Sequence, residues 1–186
     1  MTLIEFTAGI MWLGVVFYAL FGGADFGAGF WDLVAGGAKR GAKQRALIEH
    51  SIGPVWEANH VWLIFVLVIM WTCFPTLFGS ITSTLWIPFT LAAFGVIARG
   101  SAFAFRKVVV KVWQQRIFGA AFAISSVVTP FFFGTIAGAV AAGRVPVGVG
   151  LGNAVTSWLS PVPIMTGLLA VAVCAYLAAV YLTADA

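Results

Sequence analysis

Five long apolar stretches, separated by short polar connections, make up most of the sequence. They span about residues 6–33, 55–78, 85–105, 117–141 and 163–183. Each is long enough for a helix that crosses a bilayer, which needs about 20 predominantly apolar residues. The strands of a membrane β-barrel would instead alternate apolar and polar side chains. We therefore predict an all-α, polytopic membrane protein with about five transmembrane helices, arranged as a four-helix bundle plus one further helix.

Composition supports this class and a single domain. Apolar residues account for 62% of the chain, 9% are charged and the mean hydropathy is +1.05, whereas soluble domains are about half apolar and a quarter charged. We expect residues 1–186 to form one transmembrane domain, because no polar stretch is long enough for a second. The net charge of +4 does not indicate a nucleic-acid partner, because the basic residues lie in short connections between apolar runs. We predict no metal site, since Cys73 and Cys174 lie in apolar runs without ligand spacing.

The basic residues also predict the orientation of the chain. Eight of them lie in the first and third connections, whereas Arg144 lies in the last. The eight are Lys39, Arg40, Lys43, Arg45, Arg106, Lys107, Lys111 and Arg116. By the positive-inside rule, the side that carries them is cytoplasmic. We therefore expect the amino terminus outside and the carboxyl terminus in the cytoplasm.

A polar stripe marks the cytoplasmic half of the first predicted helix. Its positions are spaced by four, three, four and three residues, so they share one helix face. They are Tyr18, Gly22, Asp25, Gly29 and Asp32. Because a carboxylate is costly in hydrocarbon, this face should point toward protein, and Asp25 is a functional candidate. Gly23 and Gly27 add a small-residue spacing that allows another helix to approach closely, so we expect Gly22, Gly23, Gly27 and Gly29 to serve helix packing.

A second polar cluster opens the second predicted helix. Glu57 and His60 are three residues apart and share a face, whereas Asn59 lies about 200° from Glu57, beside Trp56. Polar groups in two directions indicate a pathway within this subunit on one side and a contact with a partner subunit on the other.

Two arginines share a face of the third predicted helix. Arg106 lies at its cytoplasmic end, where a long basic side chain can snorkel to the interface. Arg99 lies deeper, and its natural counter-charge is Asp25 or Glu57. We therefore assign ion-pair or structural contacts to Arg99, Arg106, Trp56 and Asn59.

Three interpretations of this cluster remain open. Asp25, Glu57 and His60 could relay protons inward from the cytoplasmic side. A buried pair of Asp or Glu with Arg could instead only fix the helix register. His60 or His50 could hold a haem or metal, although neither has a second histidine at ligand spacing. We predict no catalytic residue under any of these interpretations.

Three motifs resemble a known family. They read GGADFGAGFWDL from Gly22, IGPVWEANHVWLI from Ile52 and RGSAFAFR from Arg99. In this order and spacing, they resemble subunit II of the cytochrome bd-type ubiquinol oxidases, and the resemblance continues through the whole chain. Subunits of that family are usually about twice as long, so this chain resembles an amino-terminal half. A second chain or a missing segment would supply the rest.

The resemblance implies a function within a complex. Members of the family oxidise quinol and reduce O₂ to water in the prokaryotic plasma membrane, and take the protons from the cytoplasm. Haems b and d belong to subunit I, so the resemblance implies no cofactor on this chain and a haem-bearing subunit I as its partner. It also implies that Asp25 and Glu57 match acidic positions of subunit II, and that Trp56 and Asn59 match their counterparts there.

The chain also departs from the family's pattern. Gly22 and Ala104 stand where the family usually carries acids, and His60 stands where relatives often carry glutamine. These departures indicate a divergent branch, and they leave the electron donor and the proton route open. Two alternatives remain: a purely structural assembly subunit, and half of a secondary transporter. The transporter folds favour broken helices, of which only Pro130 is a hint here.

Overall fold

The computed structural model of the protein describes residues 2–36, 40–52, 56–106, 108–109 and 111–185. Within the helices, the side chains of residues 52, 56, 57, 106 and 112 lie outside that description. The described part contains helices and no strand, which confirms the all-α prediction.

The described residues form eight α-helices and one π-helical turn. In chain order the elements are α1 (Leu3–Phe17), the π-helical turn (Tyr18–Gly22), α2 (Gly23–Val34), α3 (Ala42–Ile52), α4 (Trp56–Cys73), α5 (Pro75–Thr84), α6 (Trp86–Arg106), α7 (Val112–Ala141) and α8 (Pro161–Ala184). The helix α1 begins with a capping box, in which the Thr2 hydroxyl accepts from the Glu5 amide and the Glu5 carboxylate accepts from the Thr2 amide.

In the part of the chain that the structure describes, four spans are long and apolar enough to cross a membrane: Leu3–Val34, Trp86–Phe105, Trp113–Ala141 and Pro161–Ala184. The helices α4 and α5 together provide a fifth if they count as one span, and they are bent by 115°. The prediction of about five transmembrane helices is confirmed, and the chain is a multi-pass membrane protein.

Two elements differ from the sequence-based expectation. The predicted helix over 55–78 is divided, because α4 ends at Cys73 and Pro75 begins α5. A proline lacks the amide hydrogen that would continue a helix, and it suits the first position of a new one. The basic connection, expected to be a loop, contains α3, whose Ile48 packs with Ala28 and Ala178 in a small apolar cluster.

Glycines bring α2, α7 and α8 close together. A Cβ on Gly27 would overlap the backbone carbonyl of Cys174 in α8. Gly134 and Gly138 of α7 give similarly close contact with the first half of α8. The indole Nε1 of Trp31 then donates to the Ala175 carbonyl at 2.8 Å. These contacts fix α2 against the helices that surround the candidate site.

The connection between α7 and α8 is held on α5 by two serines. Ser80 Oγ accepts from the Gly148 amide at 2.8 Å, and Ser83 Oγ accepts from the Gly150 amide at 2.9 Å. Gly148 and Gly150 both have positive φ angles, which glycine adopts without steric cost. The bend at Pro75 therefore turns α5 into a platform for this loop.

Candidate functional site

The stripe predicted from helical periodicity faces the protein interior. Gly22, Asp25, Gly29 and Asp32 are buried, and Tyr18 is half-buried. The π-helical turn carries Tyr18 and Gly22, and α2 carries the rest. A π-helical turn adds a residue to the helix and is often found at functional sites.

The centre of the site is an ion pair between α2 and α6. Arg99 Nη2 lies 2.5 Å from Asp25 Oδ1 and also donates to the Asp25 backbone carbonyl at 2.8 Å. Both residues are 1% exposed. The sequence left Asp25 and Glu57 as possible partners of Arg99, and the structure places Asp25 beside it.

The remainder of the Arg99 guanidinium is enclosed by α2 and α7. Its Nη1 donates to Ser126 Oγ, and that hydroxyl donates in turn to the Phe122 carbonyl at 2.6 Å. The guanidinium carbon lies 4.4 Å from the centre of the Phe122 ring and 5.0 Å from that of Phe26. Hydrogen bonds and aromatic faces therefore both stabilise the buried cation.

Gly29 makes room for this arrangement. A Cβ at this position would overlap the Ser126 hydroxyl and lie 3.1 Å from Arg99 Nη1. Gly23, by contrast, meets only the side chains of Leu177 and Cys174 at 3.2 and 3.5 Å. The glycines expected to serve packing therefore have two surroundings, with Gly29 against the charged pair and Gly23 and Gly27 against α8.

Two buried polar atoms of the stripe have no hydrogen-bond partner. They are Asp25 Oδ2 and the hydroxyl oxygen of Tyr18. Buried polar groups are nearly always hydrogen-bonded, so an unpaired atom requires an explanation, such as a bound water or a functional role. One carboxylate oxygen of Asp25 therefore remains available although the other is held by Arg99.

His60 and Asn59 approach the site from α4. The His60 ring is half-buried, with its centre 6.4 Å from that of Tyr18 and 6.1 Å from that of Phe26. Asn59 is buried, and its side-chain amide donates to the Phe21 carbonyl in the π-helical turn at 3.2 Å. The two residues thus both contact the first transmembrane span, Asn59 at its backbone and His60 at its aromatic side chains.

Three predicted residues cannot be placed in the site by their side chains. The side chains of Trp56, Glu57 and Arg106 lie outside the described part of the chain. His50, weighed as a possible ligand, is exposed on α3. No group of three or more His, Cys, Asp or Glu side chains that could hold a metal occurs among the described residues.

Sequence reasoning missed several contacts of the site. Ser126 and Phe122 lie four residues apart on α7 and contact Arg99; the buried serine in an apolar run was the available signal. Arg45 Nε lies 2.6 Å from Asp32 Oδ1 and its Nη2 donates to the Gly36 carbonyl, so that α3 is joined to the end of α2. Arg45 was read only as an orientation signal.

Comparison with known proteins assigns the chain to a family. Residues 3–186 match the family model described as cytochrome bd terminal oxidase subunit II. The chain is 32% identical over 119 residues to "Cytochrome bd ubiquinol oxidase subunit 2" of Bacillus subtilis (strain 168), an alignment that covers 61% of this chain and 33% of that protein. It is 30% identical over 79 residues to "Putative cytochrome bd menaquinol oxidase subunit II" of the same organism, with 42% and 22% covered.

The alignments thus reach a third or less of the length of these curated relatives. The family match, in contrast, extends over nearly the whole of this chain. It includes α2, α4 and α6, which carry the three motifs and the buried ion pair. The chain belongs to the cytochrome bd terminal oxidase subunit II family.

Proposed function

We propose that this chain is a non-haem subunit of a plasma-membrane terminal oxidase that oxidises quinol and reduces O₂ to water. The family assignment and the names of the two relatives support this activity. Haems b and d would be bound by a subunit I, and a second chain or further segment would complete subunit II. On its own this chain catalyses no reaction.

Within that complex we propose that Asp25 takes part in proton uptake from the cytoplasm. The supporting observation is the unpartnered Oδ2 of a buried carboxylate. Arginine commonly binds a carboxylate through both oxygens, whereas Arg99 directs Nη2 to Oδ1 and Nη1 to Ser126. Oδ2 is thus left to accept a proton while the carboxylate remains anchored.

Each residue of the pair has a defined task in this proposal. Arg99 supplies the counter-charge of Asp25 and holds its Oδ1 in place. Ser126, Phe26 and Phe122 hold the guanidinium, so that proton transfer at Oδ2 leaves the anchor in place. Glu57 and His60, near the cytoplasmic end of α4, would deliver protons toward Asp25.

The test is oxygen consumption by the assembled complex that carries Asp25→Asn. The amide keeps the shape of the side chain and a group that Arg99 can bind, but it cannot accept a proton. We expect turnover per haem to fall by at least about tenfold, at the lower end of typical effects of acid–base groups. The control is Asp32→Asn, which removes a second ion-paired aspartate from the same helix and should preserve turnover. Wild-type turnover in Asp25→Asn would reject the proton route.

One observation favours a purely structural role for the pair. Arg99 and Asp25 are both fully buried, and replacing such a pair with apolar residues can leave stability unchanged or improve it. The double variant Asp25→Leu with Arg99→Met separates the two functions. Assembly with normal turnover would support the structural role, whereas assembly with lost turnover supports the proton route.

A further inference from the structure

The Tyr18 ring folds over a glycine toward the helix that carries Asp25. The Tyr18 ring lies over Gly22, where a Cβ would come within 2.8 Å of ring carbon Cε2 and 2.9 Å of Cδ2. Any side chain at position 22 would therefore displace the ring. Gly22 thus leaves the space that lets the Tyr18 phenol fold toward α2, which carries Asp25.

The aromatic neighbours fix the direction of this ring. Tyr18 packs edge-on against Phe26, His60 and Phe133, with ring centres 6.0–6.4 Å apart. These neighbours come from α2, α4 and α7 respectively. Tyr18 as a whole is half-buried, but its hydroxyl oxygen is buried. The phenol therefore directs its polar end into the junction of the three helices.

The Tyr18 ring and the Asp25–Arg99 pair meet at the ring of Phe26. The centre of the Phe26 ring lies 6.4 Å from that of Tyr18 and 5.0 Å from the guanidinium carbon of Arg99, the ion-pair partner of Asp25. Yet Tyr18 Oη and Asp25 Oδ2 each lack a hydrogen-bond partner, so neither is bonded to the other. An ordered buried water needs polar partners, and these two unpartnered oxygens are groups that can bind one.

We propose that Tyr18, laid over Gly22, holds a water molecule against Asp25 Oδ2 and acts as a hydroxyl relay between that carboxylate and the His60 side of the bundle. This inference rests on the proposed role of Asp25 in proton uptake. It adds a residue and a water site to that route, and it gives Gly22 a purpose beyond helix packing.

The relay moves protons without a net change in the phenol. A donor on the α4 side gives a proton to the Tyr18 oxygen as the original Tyr18 O–H proton passes to the bound water. That water releases one of its own protons to Asp25 Oδ2. The donor has lost one proton, Asp25 has gained one, and Tyr18 and the water are unchanged. No electron transfer is required.

The first experiment is Tyr18→Phe in the complete oxidase complex. Phenylalanine keeps the ring and its three aromatic contacts but removes the hydroxyl. We expect kcat for quinol-driven oxygen consumption to fall about fivefold, the factor that a single hydrogen bond is worth, with KM for quinol unchanged. The ratio of turnover in H₂O to that in D₂O should rise, since proton delivery becomes slower. Tyr176→Phe and Tyr181→Phe, at 68% and 48% exposure on α8, are the matched controls.

A second variant tests the space rather than the hydroxyl. Gly22→Ala leaves Tyr18 intact, but its Cβ would displace the ring, so turnover should fall as in Tyr18→Phe. Gly9→Ala in the same span is the control, because a Cβ there meets nothing within 4 Å. If Gly22→Ala prevents assembly, Tyr18→Phe decides the question alone.

The double variant Asp25→Asn with Tyr18→Phe separates the Tyr18 relay from the proposed role of Asp25 in proton uptake. If both residues serve one route, the double variant should be no slower than Asp25→Asn, since effects within one unit are not additive. The relay is overturned if Asp25→Asn slows turnover but Tyr18→Phe matches the wild type in both turnover and its response to D₂O. That result would leave the role of Asp25 intact. Turnover at the wild-type rate in Asp25→Asn would overturn both the relay and the role of Asp25.

Discussion

Two layers of this molecule hold their polar residues in different ways. The helices α2, α6 and α7 enclose the Asp25–Arg99 pair with hydrogen bonds and aromatic faces. The helix α4, in contrast, packs mainly against the first span, where Phe17 contacts Trp62 at 4.7 Å and Gly14 lies against Phe65. The charged pair is thus fixed by three helices, whereas the contacts described above for His60 and Asn59 are with the first span.

The outward face of α4 illustrates the contrast. Val61, Ile64, Val68 and Trp71 are spaced by three, four and three residues, and each is between 49% and 65% exposed. They form an apolar stripe, which suits lipid or a partner subunit and contributes little to the core of this chain. The two layers should therefore respond to substitution by very different amounts.

The largest loss of stability is expected from Arg99→Met. Methionine fills much of the space of arginine but leaves the buried Asp25 without its counter-charge. Breaking a buried pair in this way costs about 3–5 kcal/mol. The measurement is thermal unfolding of the purified complex in detergent. The comparison variant is Arg45→Met, which breaks the ion pair with Asp32 at a more exposed arginine and should cost less stability. An equal or larger loss in Arg45→Met would mean that the Asp25–Arg99 pair does not stabilise the bundle more than the Arg45–Asp32 pair.

Gly27→Ala is expected to have the next largest effect. Its Cβ would collide with the backbone carbonyl of Cys174, which cannot move as a side chain can. Overpacking of this kind costs about 1–3 kcal/mol, so the unfolding temperature should drop. Gly9→Ala, in the open part of the same span, should leave the temperature unchanged or slightly higher. Equal behaviour of the two variants would contradict the close contact of α2 with α8.

The smallest effect is expected from Asn59→Ala. The substitution removes the hydrogen bond to the Phe21 carbonyl, and interhelical hydrogen bonds of this type average about 0.6 kcal/mol in membrane proteins. The same unfolding assay measures it. A loss as large as that of Arg99→Met would show that α4 is held as tightly as the packed layer.

Periodicity predicted a protein-facing stripe in the first span, but the structure buries every residue from Gly22 to Gly29, inside the stripe and outside it. The alternation of four- and three-residue spacings from Tyr18 to Asp32 defines a face, and geometry along one helix does not depend on its neighbours. Periodicity could not decide whether Arg99 pairs with Asp25 or Glu57, because that choice depends on which helices are adjacent. Ser126 and Phe122 were missed for the same reason.

The division between α4 and α5 had a local signal that hydropathy concealed. Pro75 is a helix-start residue, but it lies in a run that is apolar throughout, so the run reads as one span. The helix α3 also had a signal, since residues 42–48 read AKQRALI and most of these are strong helix formers. The π-helical turn had none, because it is defined by a hydrogen-bond shift that the residue types at 18–22 do not specify.

The most direct test of the account is time-resolved proton uptake by the complex that carries Asp25→Asn. A pH-indicating dye on the cytoplasmic side would follow protons after the reduced enzyme is mixed with O₂. The account predicts that uptake slows together with oxygen reduction, while haem content and assembly match the wild type. Uptake at the wild-type rate, in a complex whose Asp25 can no longer accept a proton, would contradict it.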